Sequence, residues 1–343
     1  VVYPLGQVVV GLGLLFGNGS ASYLSRLLGK GDKEKANQVA STALYSSITV
    51  GAIMIILSII FLRPILKFLG ATDSIMPYAI TYASIYIISC IFNVFNVTMN
   101  NIVTSEGAAK TTMCALMTGA ILNIGLDPVF IYILNMGVAG AAIATAISQI
   151  VSTLVYLTFI LRKKSTYHFR IRNFSFTKDI MSEIFKIGIP TLVFQILTSL
   201  SISFVNTKSM VYGDSVIAGM GAVTRIVSMG SLMVFGFIKG FQPIAGYSYG
   251  AKKFYRLQEA IKTSILWSTI FCVIYGLILA IFSKGIISQF TKMDLDMIRV
   301  GTQSLRINGF SFMLFGFYTV YSSLLLALGK GLAGFFLGAC RQG

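Results

Sequence analysis

An aspartate stands inside the apolar stretch AILNIGLDPVFIYIL, residues 120–134, which belongs to a segment long enough to cross a bilayer. A carboxylate at the centre of such a span costs roughly 2.5–3.5 kcal/mol on insertion scales, so Asp127 calls for a partner, a proton or a cation. Asn123 lies one helical turn earlier, on the same face. Pro128 follows and should loosen the helix, freeing a carbonyl. Thr145 lies in the next apolar segment, beyond the short turn at 135–140. At 1.5 Å per residue, Asp127 and Thr145 both sit roughly 10–12 Å below that turn. The shortness of the turn puts the two spans side by side, so Asn123, Asp127 and Thr145 can converge. Their amide, carboxylate and hydroxyl are hard oxygen donors that suit Na⁺ or a proton-linked network. The bland alternative for Asn and Thr is hydrogen-bonding glue between helices.

A second polar set is a stripe. Asn93, Asn96 and Asn100 recur at spacings of three and four and share one helix face, which meets either a wet cavity or a neighbouring helix. The later part of the chain has no deep acid in its clear spans. Its intramembrane candidates are Gln195, Arg225, Gln242 and Arg306, with Lys239 nearby. The run GFIKGFQPIAGYSYG (236–250) combines Gly240, Pro243 and Gly246 and reads as a bent or broken helix end, a hinge candidate like Pro128.

These residues need a membrane scaffold to position them. Hydrophobic residues make up 55% of the 343, charged residues only 11%, and mean hydropathy is +0.81. A soluble domain carries about 25% charged residues, so the chain reads as an all-α polytopic membrane protein. The alternation of a β-barrel is absent. Apolar spans fall at about 3–28, 37–62, 76–104, 112–134, 137–161, 183–207, 215–248, 257–283 and 298–328, with the start of a tenth from 332. Net charge is +16. The basic residues concentrate in loops on one side (26–35, 105–111, 162–178, 250–256 and 328–331), which places those loops in the cytoplasm and argues against nucleic-acid binding.

The longest connection, RKKSTYHFRIRNFSFTK (162–178), divides the chain. The expected organisation is a first lobe over 1–161, a basic cytoplasmic linker over 162–182 and a second lobe over 183–343. His168, the sole histidine, lies in that linker and reads as a solvated residue. The lobes repeat: SRLLGKGDKEKANQVASTAL (25–44) resembles GYSYGAKKFYRLQEAIKTSI (246–265), with Gly29 on Gly250 and Lys35 on Arg256, and Gly107 falls on Gly329. The paired loops lie on one side, so the repeats are parallel, and transporters place binding sites between such repeats. There is no Walker A loop, no nucleophile–His pairing and no zinc spacing among Cys90, Cys114, Cys272 and Cys340, so neither ATP drive nor an enzyme is expected, and no cofactor beyond H⁺ or Na⁺.

Six stretches carry a family resemblance: GNGSASYLSRLLGKGDKEKA (17–36), NNIVTSEGAAK (100–110), ILNIGLDPVFIY (121–132), GVAGAAIATAISQ (137–149), GFQPIAGYSYGAKKF (240–254) and LALGKG (326–331). Together they resemble the multidrug and toxic compound extrusion (MATE) family, in its bacterial MepA/DinF-like branch. The resemblance implies two six-helix lobes around a central cavity, of which this chain would hold family helices 2 to 11. It implies a cation site in the first lobe whose fifth- and sixth-helix members fall on Asn123, Asp127 and Thr145. Thr104 stands where relatives usually carry Arg, and the second-lobe acids of some subfamilies have no counterpart, Gln195 lying in the corresponding region. The resulting expectation is a monomeric plasma-membrane antiporter exporting amphiphilic, often cationic compounds against H⁺ or Na⁺. The rival is a flippase for lipid-linked precursors, with Arg225 and Arg306 on phosphate.

Overall fold

The computed structural model describes the backbone of residues 3–68, 76–210, 214–291 and 294–342. Within these residues every regular element is helical. In chain order they are α1 (Tyr3–Lys30), α2 (Lys33–Ile60), α3 (Leu62–Phe68), α4 (Met76–Ser105), α5 (Ala109–Pro128), α6 (Gly137–Leu161), α7 (Lys178–Met210), α8 (Asp214–Gly250), α9 (Phe254–Ile281), α10 (Ser283–Ile287), α11 (Leu295–Phe312), α12 (Phe315–Ala327) and α13 (Gly331–Gln342). A π-helical turn covers Val129–Ile133 and a 3₁₀ turn Ile171–Asn173. Helix is what lipid demands, since hydrocarbon offers backbone groups no partner. Among the described residues, eight helices are long and apolar enough to cross a membrane, nine if α11 and α12 count as one broken span. The burial pattern agrees: Ile56, Ile60, Ile124 and Leu232 are exposed, while Ser41, Thr42, Ser47 and Thr98 are sealed between helices.

The turns show the duplication more clearly than the residues do. After α1, Gly31 takes φ +79°. Its N–H bonds Leu28 O and the Asp32 N–H bonds Leu27 O, the paired bonds of a Schellman stop. Asp32 then caps α2 by accepting from Lys35 N at 3.0 Å. In the second repeat the alignment puts Lys252 on Gly31. Lys252 adopts φ +57°, with Lys252 N on Tyr249 O and Lys253 N on Ser248 O, the same motif built with a side chain present. Gly107 and Gly329 form a second matched pair, at φ +87° and +82°.

Two compact units form, Val1–Ile196 and Leu197–Gly343. In the first, α4 is central and packs on α1, α2 and α6, while α5 lies on α6. Gly13 and Gly17 admit Val97 and Asn101 of α4, and Gly19 and Gly188 bring the backbones of α1 and α7 together. The first half of α7 therefore belongs to this unit, and the 162–178 segment lies against α2. In the second unit α8, α9, α11 and α12 enclose Phe312, Phe315, Val320 and Cys272, with Tyr275 packed on them.

The span read over 298–328 is bent: α11 and α12 meet at Met313–Leu314 at an angle of 51°. No proline causes it. Gly309 packs on the Gly276 backbone and Gly316 on the Ser268 carbonyl, so both arms are pinned to α9 and the chain between them tightens into i→i−3 bonds at Met313 and Leu314. α8 runs as one helix to Gly250, with Gly240, Pro243 and Gly246 inside it.

Candidate functional site

Asp127 ends the straight part of α5. Asn123 Nδ2 donates to Asp127 Oδ1 at 3.4 Å, and both residues are half-buried. Among the described residues the carboxylate accepts no other hydrogen bond. Pro128 brings no N–H, and the chain widens at once into the π turn, with Leu134 N on Val129 O at 2.9 Å. Gly140 lets α6 start close against that turn, since a Cβ there would lie 2.8 Å from the Phe130 backbone. Lower down, Ser152 Oγ donates to Ala115 O at 3.0 Å. These two contacts fix the antiparallel register of α5 on α6 and put Thr145 abreast of Asn123. The Thr145 hydroxyl, however, donates to its own helix at Ala141 O, 3.0 Å. The structure thus joins Asn123 to Asp127 directly and brings Thr145 to their level without a bond between them. Tyr82 of α4 lies within electrostatic reach of Asp127.

The Asn stripe runs along the α4–α6 seam. Asn96 Nδ2 donates to Gln149 O (2.9 Å) and Gln149 Oε1 (2.8 Å), and Asn96 Oδ1 accepts from Thr153 Oγ1 at 2.9 Å. Asn100 Nδ2 donates to the Tyr156 hydroxyl at 3.3 Å. Both face a neighbouring helix. Asn93 differs. One turn from Asn96, at the level of Thr145–Gln149, its Oδ1 is buried with no hydrogen-bond partner. An orphaned buried acceptor is an unusual holding. It adds a third helix to the polar layer that contains Asn123, Asp127 and Thr145. Gln149, Thr153 and Tyr156 were missed from the sequence, although they lie about one, two and three turns along α6 from Thr145, and following that face would have reached them.

The remaining candidates lie on α7, α8 and α11. Gln195 donates its amide to Gln7 Oε1 of α1, inside the first unit. Arg225 and Arg306 are exposed, on α8 and α11. Gln242 Nε2 is buried without a partner. Among the described residues no group of three His, Cys, Asp or Glu could hold a metal ion.

At the other end of the first bundle the 162–178 segment is strapped down. Glu106 accepts the Thr166 amide at 2.6 Å and the Ser165 hydroxyl at 3.1 and 3.0 Å. Asn37 Oδ1 accepts the His168 amide at 2.8 Å. Thr42 exchanges bonds with the Ser175 backbone at 3.2 and 3.1 Å, and Tyr45 donates to Phe169 O at 3.3 Å. Burial pushes the Glu106 carboxyl above the usual range, more than its hydrogen bonds pull it down. Close by, Arg26 pairs with Glu183 at 2.8 Å, tying α1 to α7.

Comparison with known proteins agrees with this architecture. The MatE family model matches residues 1–129 and 190–342. Multidrug export protein MepA of Staphylococcus aureus (strain MSSA476) is 30% identical over 330 residues, 96% of this chain and 72% of that protein. Among solved structures, one of MATE in the straight conformation superimposes with a TM-score of 0.93 at 26% identity, over 99% of this chain and 76% of that one. An outward-facing multidrug resistance MATE family transporter of the MOP superfamily gives the same TM-score, identity and coverage. A polytopic helical chain with repeated turns and a paired carboxylate in its first bundle, matched along nearly its whole length, belongs to the MATE family.

Proposed function

We propose that the protein is a secondary antiporter of the plasma membrane that exports amphiphilic, often cationic organic compounds in exchange for H⁺ or Na⁺. The observation that carries this reading is the Asn123–Asp127 pair within an apolar span, next to a proline-induced π turn. A carboxylate so placed is held at a cost unless a proton or cation visits it. Occupancy of Asp127, with Asn123, Thr145 and Asn93 as neutral oxygen donors, changes the charge and packing of the first bundle. An ion drives the outward–inward equilibrium only to the extent that it binds the two states with different affinity. The basic loops face the cytoplasm in this reading, the transporting unit is a monomer, and no further cofactor takes part. A flippase would need basic residues gathered around a phosphate, whereas the basic excess of this chain is mostly loop-borne.

The test is dye efflux from an efflux-deficient bacterial host expressing the protein. Asp127→Asn should abolish energy-dependent ethidium export while membrane insertion stays normal. Normal export by that variant would overturn the coupling role. Replacing Na⁺ at fixed pH then separates the two ions.

A further inference from the structure

The segment between α6 and α7 is fastened along one edge and bare along the other. Asn37, Thr42, Tyr45 and Glu106 hold its backbone. The outer edge interleaves Arg170, Arg172 and Lys178 with Ile171 and Phe176, all exposed, while the Phe174 ring turns back onto Tyr45. Ile171 is 76% exposed and Phe176 71%. Among the described residues no carboxylate pairs with any of these three cations, the ion pairs being those of Glu183 with Arg26 and Lys186.

Bare aliphatic and aromatic side chains outside the spans are costly in water. Unpaired cations beside them make burial against a neutral protein face costly as well. A bilayer interface with anionic headgroups accepts both kinds of group at once. The ends of the segment bring it there, since it leaves α6 at Leu161 and enters α7 at Lys178, both ends of membrane-length helices. We propose that the 170–178 edge is a docking surface for anionic phospholipid headgroups. Arg170, Arg172 and Lys178 bind the phosphates, and Ile171 and Phe176 enter the interface. Because the inner edge is tied to α2 and α4, lipid docking anchors the end of the first bundle to the membrane surface.

Trp267 is the only tryptophan, so Trp267→Phe combined with Phe176→Trp moves the sole reporter into the strip. The full chain is reconstituted into phosphatidylcholine vesicles with and without phosphatidylglycerol, using acyl-brominated lipid as quencher. The two leaflets are equivalent, so the result does not depend on orientation. Quenching should be severalfold higher with phosphatidylglycerol, and adding Arg170→Gln and Arg172→Gln should remove that difference. Three outcomes overturn the proposal: water-like unquenched emission in both vesicles, equal quenching in both, or blue-shifted emission that no lipid quenches, which would assign the strip to a protein contact.

Discussion

Glu106 is the handle on the strap. Glu106→Ala removes the acceptor of the Thr166 amide and of the Ser165 hydroxyl. Thr166 is exposed and its N–H turns to water, whereas Ser165 is 9% exposed: its Oγ still accepts the Tyr167 N–H, but its O–H is left without an acceptor. One buried orphan costs about 1–3 kcal/mol, which is roughly 5–150-fold in the opening equilibrium of the segment. Amide hydrogen exchange on the full chain in nanodiscs should therefore speed up by that factor at Thr166, Tyr167 and His168, with α9 unchanged. Glu106→Gln isolates the charge. The folded carboxyl binds its proton more tightly than an unfolded one, because burial outweighs its hydrogen bonds. Its contribution is full below the ordinary carboxylate range and is lost as pH climbs through the raised value. Protection of the strap should thus fall with rising pH across that window in the wild type, and stay level in Glu106→Gln. Equal exchange in wild type and Glu106→Ala, or an unchanged pH slope in Glu106→Gln, would refute the reasoning.

Other outcomes follow from the same geometry. Lys252→Gly relieves a side chain held at positive φ and should stabilise the protein in detergent by about 0.5–1 kcal/mol, read as a raised Tm. Asn96→Ala leaves Gln149 and Thr153 short of a partner and should cost about 0.6–1.7 kcal/mol by the same assay. Gly188→Val drives a side chain into the Leu15 backbone; folded yield by size-exclusion fluorescence should collapse, while Gly236→Ala, which meets open space, should be tolerated.

Much of the site was readable because it is local. Asn123 and Asp127 are one turn apart on one helix, so spacing alone predicts their contact. Thr145 shows the limit: depth brings it level with Asn123, but a threonine in a helix can satisfy itself on the carbonyl four residues back, and here it does. The Asn stripe revealed a face but not its partner, which depends on Gln149 and Tyr156 arriving from another helix. The bend at Met313 was invisible because no residue there breaks helices; it comes from glycine contacts to α9 on either side. The basic linker shows in its polarity and His168 is exposed as read, but its fastening was not legible, because the side chain that holds the His168 amide lies 131 residues earlier.

That sequence distance has a consequence for biogenesis. Asn37, Thr42, Tyr45 and Glu106 are all synthesised before their partners at 165–175. The latch can therefore close as soon as those residues leave the ribosome. At roughly 5–20 residues per second, residues 197–343 then take on the order of 7–30 s to be made, time in which the nascent first bundle can already be fastened.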